Sequence, residues 1–483
     1  MSQLVGRQQD FLALNRLLGQ PRGQLAIIYG RRGVGKTSFV RRWAEDSGLP
    51  YFYWSAPPEN AESIQQSLTT ALTNWVETQS RSTDAPRLDP SSRSHAWNPM
   101  QVAVLRVVAS GPAILILDDF HRAAMTNPAL PSYLQILWDL ELQHRPVILI
   151  LVGSQPGLAE ELLNISAPLY GRPTFIYQLD PLPCTAVADL FPGYSAVECL
   201  AIYAALGGIP VYLEQFDPQQ NLDANIRHHL FPPRGVFRDE VALLIDNLGK
   251  EPSRCEEILR AIARGCDSLS HIARVTGLAK PDLLESLYWL QQWQMVEHQL
   301  PVTSPPEQRL RMTALGRGRY YPRDPYLHFH FRFIEPCLLA ERGQADAQWS
   351  RTQRQFWTFV GATAFQEQCR LWIWEQARAH KLPFQPERVG RYWGKGPRVD
   401  LMAINWRERA ILLGECQWNA HMVGPAILRE LVGKAPSVEP AKDWQVYYAV
   451  FARSGFSDAA REDANALGVH LVDLEELVIV GSP

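Results

Sequence analysis

The sequence predicts an α/β protein built in several parts, and three observations carry that expectation. Residues 30–37 read Gly-Arg-Arg-Gly-Val-Gly-Lys-Thr, a complete G-x-x-x-x-G-K-[ST] phosphate-binding loop. Apolar strand-like runs alternate with helical patterns from residue 24 to about 178, the order of a parallel sheet with helices on both faces. A second strand-rich stretch, residues 388–472, follows a long amphipathic helix. With 483 residues the chain exceeds one hydrophobic core, and its length suggests about three or four domains.

Composition excludes some classes. A content of 46% hydrophobic and 20% charged residues is ordinary for a globular protein. No apolar run approaches the ~18–20 residues of a membrane span, and the start Met1-Ser2-Gln3-Leu4 has no signal-peptide pattern. The seven cysteines form no C-x-x-C pair, which argues against a zinc site or a disulfide framework. A reducing cytoplasm and no membrane partner are the expectation. The net charge of −3 selects no partner by itself.

The glycine-rich loop has the flanks its chemistry needs. Leu25-Ala26-Ile27-Ile28-Tyr29 launches it as a strand, and Ser38-Phe39-Val40-Arg41-Arg42-Trp43 receives it as a helix. Gly30, Gly33 and Gly35 let backbone N–H groups turn onto phosphates, and the helix N-terminus adds partial positive charge. Arg31, Arg32, Val34 and Ser38 complete the expected nucleotide contacts. Lys36 is expected on the β/γ-phosphates of ATP as a catalytic cation, and Thr37 on Mg²⁺.

A second strand, Ala113-Ile114-Leu115-Ile116-Leu117, ends in Asp118-Asp119. Five apolar residues mark a buried parallel strand, and acids at its C-terminal end face the ligand crevice. Asp118 is assigned to the Mg²⁺ shell. Asp119 either polarises the attacking water, with one methylene less reach than the usual Glu, or caps the following helix. A third strand, Pro146–Val152, ends in Gly153-Ser154-Gln155, whose polar residues either sense the γ-phosphate or make a plain loop contact.

Leu4-Val5-Gly6-Arg7, the phosphate loop, Ser166-Ala167-Pro168-Leu169-Tyr170-Gly171-Arg172 and Leu206-Gly207-Gly208-Ile209-Pro210-Val211-Tyr212-Leu213 resemble segments of archaeal and bacterial AAA+/STAND-type ATPases. The resemblance implies a P-loop NTPase core over residues 1–178 and a helical lid over 179–250. It makes Arg172 a candidate γ-phosphate or inter-subunit arginine, and hence a homo-oligomer an expectation. A salt bridge is the alternative for Arg172.

Residues 251–318 show three helical patterns and a ribbon. Ile258, Leu259 and Ile262 share one face, a second helix begins at Ser268 and breaks at Gly277, and a third runs from Lys280 to about Trp293. With Met295–Val302 and Gln308–Thr313 as a wing, the order is that of a winged helix, and it resembles those fused to such ATPases. Its third helix is poor in base-reading residues, leaving either protein packing or weak DNA tracking. The connector, residues 319–350, interleaves aromatics with Arg319, Arg323 and Arg332. Such a run is either a nucleic-acid surface or a packed aromatic segment. Residues 305–332 carry net +4.

Residues 351–483 read as a long helix (353–380), three strands (388–393, 398–404, 410–418), a helix, a strand, a helix and a strand. The order resembles the PD-(D/E)xK fold, so the chain is expected to end in a restriction-endonuclease-like α/β domain. Asp400 and Glu415 are its candidate ligands for Mg²⁺ or Mn²⁺ and its candidate catalytic acids, with Glu367 as a helix-borne ligand. Period-two alternation places residue 417 beside Glu415, and there intact members carry Lys. Gln417, the candidate third catalytic residue, has no charge to stabilise a scissile phosphate. Three readings stand: a Gln-tolerant nuclease, a lysine migrated to Lys395 or Lys434, or an inactive fold retained for binding. Residues 351–410 carry net +6, the electrostatic signature of a polyanion partner such as DNA. Two functions are expected to compete: a Mg²⁺-dependent ATPase coupled to a DNA-interacting nuclease-like domain, and a nucleotide-operated switch or scaffold that binds protein.

Overall fold

The computed structural model describes residues 5–58, 60–80, 98–109, 111–154, 162, 164–231, 237, 239–246, 251–304, 318–338, 345–393, 397–438 and 443–479. The chain divides into two compact units. The first comprises Met1–Leu182 with Ile209–Val211, and the second Pro183–Gly208 with Tyr212–Pro483.

In the first unit β1 (Gln24–Tyr29), β2 (Tyr51–Ser55), β3 (Ala113–Asp118), β4 (Val147–Gly153) and β5 (Phe175–Gln178) form one sheet in the order β2-β3-β4-β1-β5. Every pairing in it is parallel. The near-continuous apolar runs of β3 and β4 follow from this, because a parallel sheet is covered on both faces, and all their positions are buried. Alternate residues feed separate cores. Leu25, Ile27, Leu115 and Leu149 pack with Leu68 and Leu134, whereas Ala26, Ile28, Ile114 and Ile150 pack with Phe39 and Trp43. The two edge strands were not individually legible: β2 is the aromatic run Tyr-Phe-Tyr-Trp-Ser, and β5 has four residues.

The second unit contains the helices Pro252–Ala263, Leu269–Thr276 and Lys280–Gln292, with Gly277 ending the second in the left-handed region. An antiparallel pair follows, β6 (Val296–Gln299) with β7 (Arg319–Pro322). The ribbon partner is thus the start of the aromatic connector. The strand expected at 308–313 lies outside the described residues.

The connector is core. Tyr320, Tyr326, Phe329, Phe331 and Phe333 are buried, and Phe329 and Phe333 meet Phe356 at 5.7 and 6.0 Å. Aromatic packing therefore accounts for the run, and rings so enclosed cannot stack on bases. Of its arginines, Arg319 pairs with Asp267 at 3.0 Å. Arg309, Arg311 and Arg317 lie outside the described residues.

Further on, β8 (Arg388–Tyr392), β9 (Val399–Asn405), β10 (Ala410–Gln417), β11 (Gln445–Ala452) and β12 (Val469–Asp473) form a second sheet in the order β12-β11-β10-β9-β8. It is mixed: β8–β9 and β9–β10 are antiparallel, β10–β11 and β11–β12 parallel. Ile411, Leu413 and Val450 pack on one face with Leu428, Leu431 and Ala460 of helices Pro425–Lys434 and Asp458–Leu467. Trp372 approaches Phe451 on the other at 5.5 Å.

The long helix expected at 353–380 runs unbroken over Ala345–Arg378, with a five-residue π turn, Gly361–Phe365, inside it. A Cβ on Gly361 would stand 2.5 Å from Trp418 Cγ, so the indole occupies the space beside a glycine that widens the helix.

Candidate functional site

The phosphate loop leaves β1 and enters helix Lys36–Asp46, as its flanks require. Two glycines there admit no side chain. A Cβ on Gly30 would meet the Leu179 carbonyl oxygen at 2.4 Å, and Gly33, at φ +82, faces Val211 Cγ1 at 2.9 Å. The Ile209-Pro210-Val211 stretch thus lies against the loop, with Pro210 Cγ 3.8 Å from the Cβ position of Gly35. Sequence reasoning assigned this segment to the lid but gave it no contact.

Lys36 donates to the carbonyls of Gly30 and Arg31, both at 2.9 Å, and is 7% exposed. Burial pushes its ammonium down to about 8, opposed by the charges of Asp118 and Asp119. Thr37 Oγ1 donates to Asp118 Oδ2 at 2.5 Å, joining the first turn of the helix to the end of β3. A hydroxyl and a carboxylate in contact are the hard-oxygen donors that suit Mg²⁺. Three turning glycines and a convergent lysine suit the phosphates it would accompany. The residues fit the group. Val34 is buried, and Arg32, Thr37 and Ser38 are exposed.

Asp118 has partners the sequence did not disclose. Tyr53 Oη donates to its Oδ2 at 3.0 Å, and the Asp119 amide to its Oδ1 at 2.8 Å. Burial and the Asp118 charge push the Tyr53 phenol up to about 12, so it stays a donor. Asp119 adopts left-handed φ (+50) at the helix start without capping it by a side-chain hydrogen bond. Its Oδ2 accepts from Arg122 at 3.0 Å.

Arg7 is a further residue whose role was missed. Buried, it donates to the Val34 carbonyl at 2.8 Å and the Asp180 carbonyl at 2.7 Å, and pairs with Asp10 at 3.0 Å. Tyr177 Oη donates to the same Asp10. One guanidinium therefore ties the start of the chain to the phosphate loop and to the segment after β5. Arg172 forks onto Asp139, with Nε to Oδ1 at 2.8 Å and Nη2 to Oδ2 at 2.7 Å, the salt-bridge alternative. Ser154 follows β4 directly; Gln155 lies outside the described residues.

In the second unit, the β9–β10 register ends at Leu401↔Gly414, which sets Asp400 opposite Glu415. The Cys416 amide donates to Asp400 Oδ2 at 3.1 Å. Glu415 is half-enclosed by a chain of donors. Lys434 Nζ reaches its Oε2 at 3.0 Å, Gln417 Nε2 its Oε1 at 3.3 Å, and Asn419 Nδ2 meets Gln417 Oε1 at 3.0 Å. Burial and then the Asp400 charge push the Glu415 carboxyl up, and Lys434 opposes both. For Lys434, burial pulls the ammonium down, but Glu415 and Glu430, the latter at 3.2 Å, together outweigh that and leave it raised.

Glu367 does not join this pair. Both its oxygens accept from Arg370 on the same helix, at 2.8 and 2.5 Å. Among the described residues no group of three or more His, Cys, Asp or Glu side chains could hold a metal. Two carboxylates remain, the number a largely hydrated Mg²⁺ takes. Lys395 lies outside the described residues.

Residues 4–216 match a family described as an ATPase domain predominantly from Archaea, and residues 330–426 one described as archaeal and bacterial proteins of unknown function. An uncharacterized protein of Methanocaldococcus jannaschii is 28% identical over 481 residues, spanning 98% of this chain and 99% of its own. Among solved structures, a Walker-type ATPase of Pyrococcus abyssi is similar with TM-score 0.51 at 17% identity. That likeness covers 68% of this chain and 96% of the other, and it supports the fold alone. The chain is thus similar along nearly its whole length to an archaeal protein, and over residues 4–216 to an archaeal ATPase domain.

Proposed function

We propose that the chain is a Mg²⁺-dependent ATPase whose nucleotide cycle acts on a DNA-interacting, nuclease-like domain. The observation that carries the ATPase half is the Lys36–Thr37–Asp118 convergence on a loop that glycine alone can form. Bound there, Mg²⁺ would neutralise charge developing between the β- and γ-phosphates. Thr37 and Asp118 would hold it. Lys36 would leave the loop carbonyls for the phosphate oxygens, and Tyr53 would keep Asp118 oriented. Asp119 would order water from the end of β3, with Arg122 restraining it.

Chain connectivity supports the coupling. Ile209–Val211 belongs to the first unit and lies on the phosphate loop, while the residues on both sides of it belong to the second. A loop reshaped by nucleotide would move a segment continuous with the other unit at both ends.

For the nuclease-like half, the supporting observation is Lys434. Its ammonium lies 3.0 Å from Glu415, supplying the cation that Gln417 lacks. Asp400 and Glu415 would hold a hydrated Mg²⁺ or Mn²⁺, which when bound would polarise a phosphodiester and acidify water. Lys434 would steady the charge on the scissile phosphate. The mixed sheet order with acids on adjacent strands supports the PD-(D/E)xK reading, and the three helices with their ribbon support a winged helix.

A second reading has its own observation: Glu415 is engaged by both Lys434 and Gln417. Under it the domain binds without cutting, and the chain is a nucleotide-operated switch. Incubation with single- and double-stranded DNA in Mg²⁺ or Mn²⁺ decides. Cleavage abolished by Asp400→Ala supports the nuclease; ATP turnover without cleavage by the wild type overturns that part.

A further inference from the structure

Arg453 follows the last residue of β11 and stands at the strand end that carries Glu415 and Gln417. Its amide donates to the Gln417 carbonyl at 3.0 Å, continuing the parallel ladder one residue past Gln417↔Ala452. Its guanidinium is held by aromatic faces. The Cζ lies 4.7 Å from the Trp418 ring centroid and 5.7 Å from that of Trp357. Trp418 is fixed in turn, against Gly361 of the π turn and 5.0 Å from Phe365.

Other arginines of this unit are spent on carboxylates: Arg260 on Glu335, Arg370 on Glu367 and Arg429 on Asp463. Among the described residues Arg453 has no carboxylate or carbonyl partner for its guanidinium. A planar cation clamped by its faces keeps its in-plane N–H fork open, the geometry that takes two oxygens of one phosphate. The clamp also removes most of the rotamer freedom that binding would otherwise cost.

We infer that the Trp357–Arg453–Trp418 clamp is a phosphate-binding point for the nucleic-acid backbone, next to the Asp400–Glu415–Lys434 group. Period-two alternation puts Glu415 and Gln417 on one face of β10, and Trp418 follows directly at its end. A polyanion crossing this strand end meets the carboxylate group with one phosphate and Arg453 with a neighbouring one. The contact carries no base information and positions the strand. The inference rests on the DNA-interacting reading above.

The test is anisotropy of a fluorescein-labelled DNA duplex, and of its separated strand, titrated with full-length protein without divalent metal over a range of salt. Arg453→Gln is expected to weaken binding about tenfold and to lower the slope of log K against log salt by ~0.9 for the duplex, with an unchanged melting midpoint. Arg453→Lys is expected to keep the slope and lose about threefold in affinity, because an ammonium lacks the fork. Should Arg453→Gln fail to fold, the lysine variant decides alone. Wild-type affinity and slope in a folded Arg453→Gln protein, or wild-type affinity in Arg453→Lys, overturn this inference and leave the DNA-interacting reading standing. A wild type that binds neither DNA at low salt overturns both.

Discussion

Lys434, on the helix after β10, donates its ammonium to Glu415 at 3.0 Å, while Gln417 two residues along the strand donates to the other oxygen of the same carboxylate. A positive charge missing from one element is thus delivered to the same acid by another. Removing it should matter more than removing the amide. Lys434→Met is expected to lower DNA nicking about 100-fold, the scale of losing one group that stabilises transition-state charge. Gln417→Lys in that background should restore part of the rate. Nicking of supercoiled plasmid measures both, and an unaltered rate in Lys434→Met would remove the lysine from the site.

Arg7 satisfies two backbone carbonyls and one carboxylate at once. Arg7→Ala leaves all three without it, at a cost of about 3 kcal/mol. Because one of those carbonyls belongs to Val34 in the phosphate loop, ATP affinity should fall about tenfold as well, the equivalent of about 1.4 kcal/mol. Urea unfolding and calorimetric titration read the two effects. Arg7→Lys should not rescue either, since a single ammonium cannot span the three acceptors.

Lys36 gives a signed pH dependence. Its folded value of about 8 lies below the ordinary 10.5. Between the two, the unfolded chain holds a proton that the folded chain has released, so stability rises with pH across that window. Nucleotide-free Lys36→Met should therefore be more stable than the wild type below pH ~8, by up to about 3 kcal/mol. The gap should narrow as pH climbs toward 10.5. A gap independent of pH would contradict the buried charge.

His330 follows the same sign in the acid range. Burial, and then the Arg260 charge, push its imidazole down to about 4 from 6.5, and its Nδ1 has no hydrogen-bond partner among the described residues. Between those values the unfolded chain takes up a proton that the folded chain refuses, so stability is lost as pH falls through 6.5 toward 4. His330→Leu should flatten the acid limb of the unfolding curve by roughly 3 kcal/mol. An acid limb as steep as that of the wild type would show that other groups drive it.

The nucleotide site was legible because its signals are local. A strand, a glycine loop, Lys36 and Thr37 occupy consecutive residues, and Asp118 announces itself at the end of an all-apolar run. Arg7 and Tyr53 were not, since nothing beside them in sequence records the carbonyls and the carboxylate they serve in space. The aromatic connector left two readings open, because alternating rings and arginines look alike whether they face solvent or a core, and its buried rings fit the packed one. At the second sheet the acids on β9 and β10 followed from strand alternation. The pairing of Glu367 with Arg370, the choice of Lys434 and the clamp on Arg453 depended on side-chain direction and on a π turn. Period counting treats that stretch as one regular helix.

Steady-state ATP hydrolysis, measured with and without duplex DNA, tests the account most directly. Wild type should turn over ATP in Mg²⁺ and accelerate when DNA is added, Lys36→Ala should do neither, and Arg453→Gln should turn over but respond to DNA only at higher concentration. Turnover that ignores DNA at every concentration, or its absence in the wild type, would contradict an ATPase whose cycle is coupled to a DNA-interacting domain.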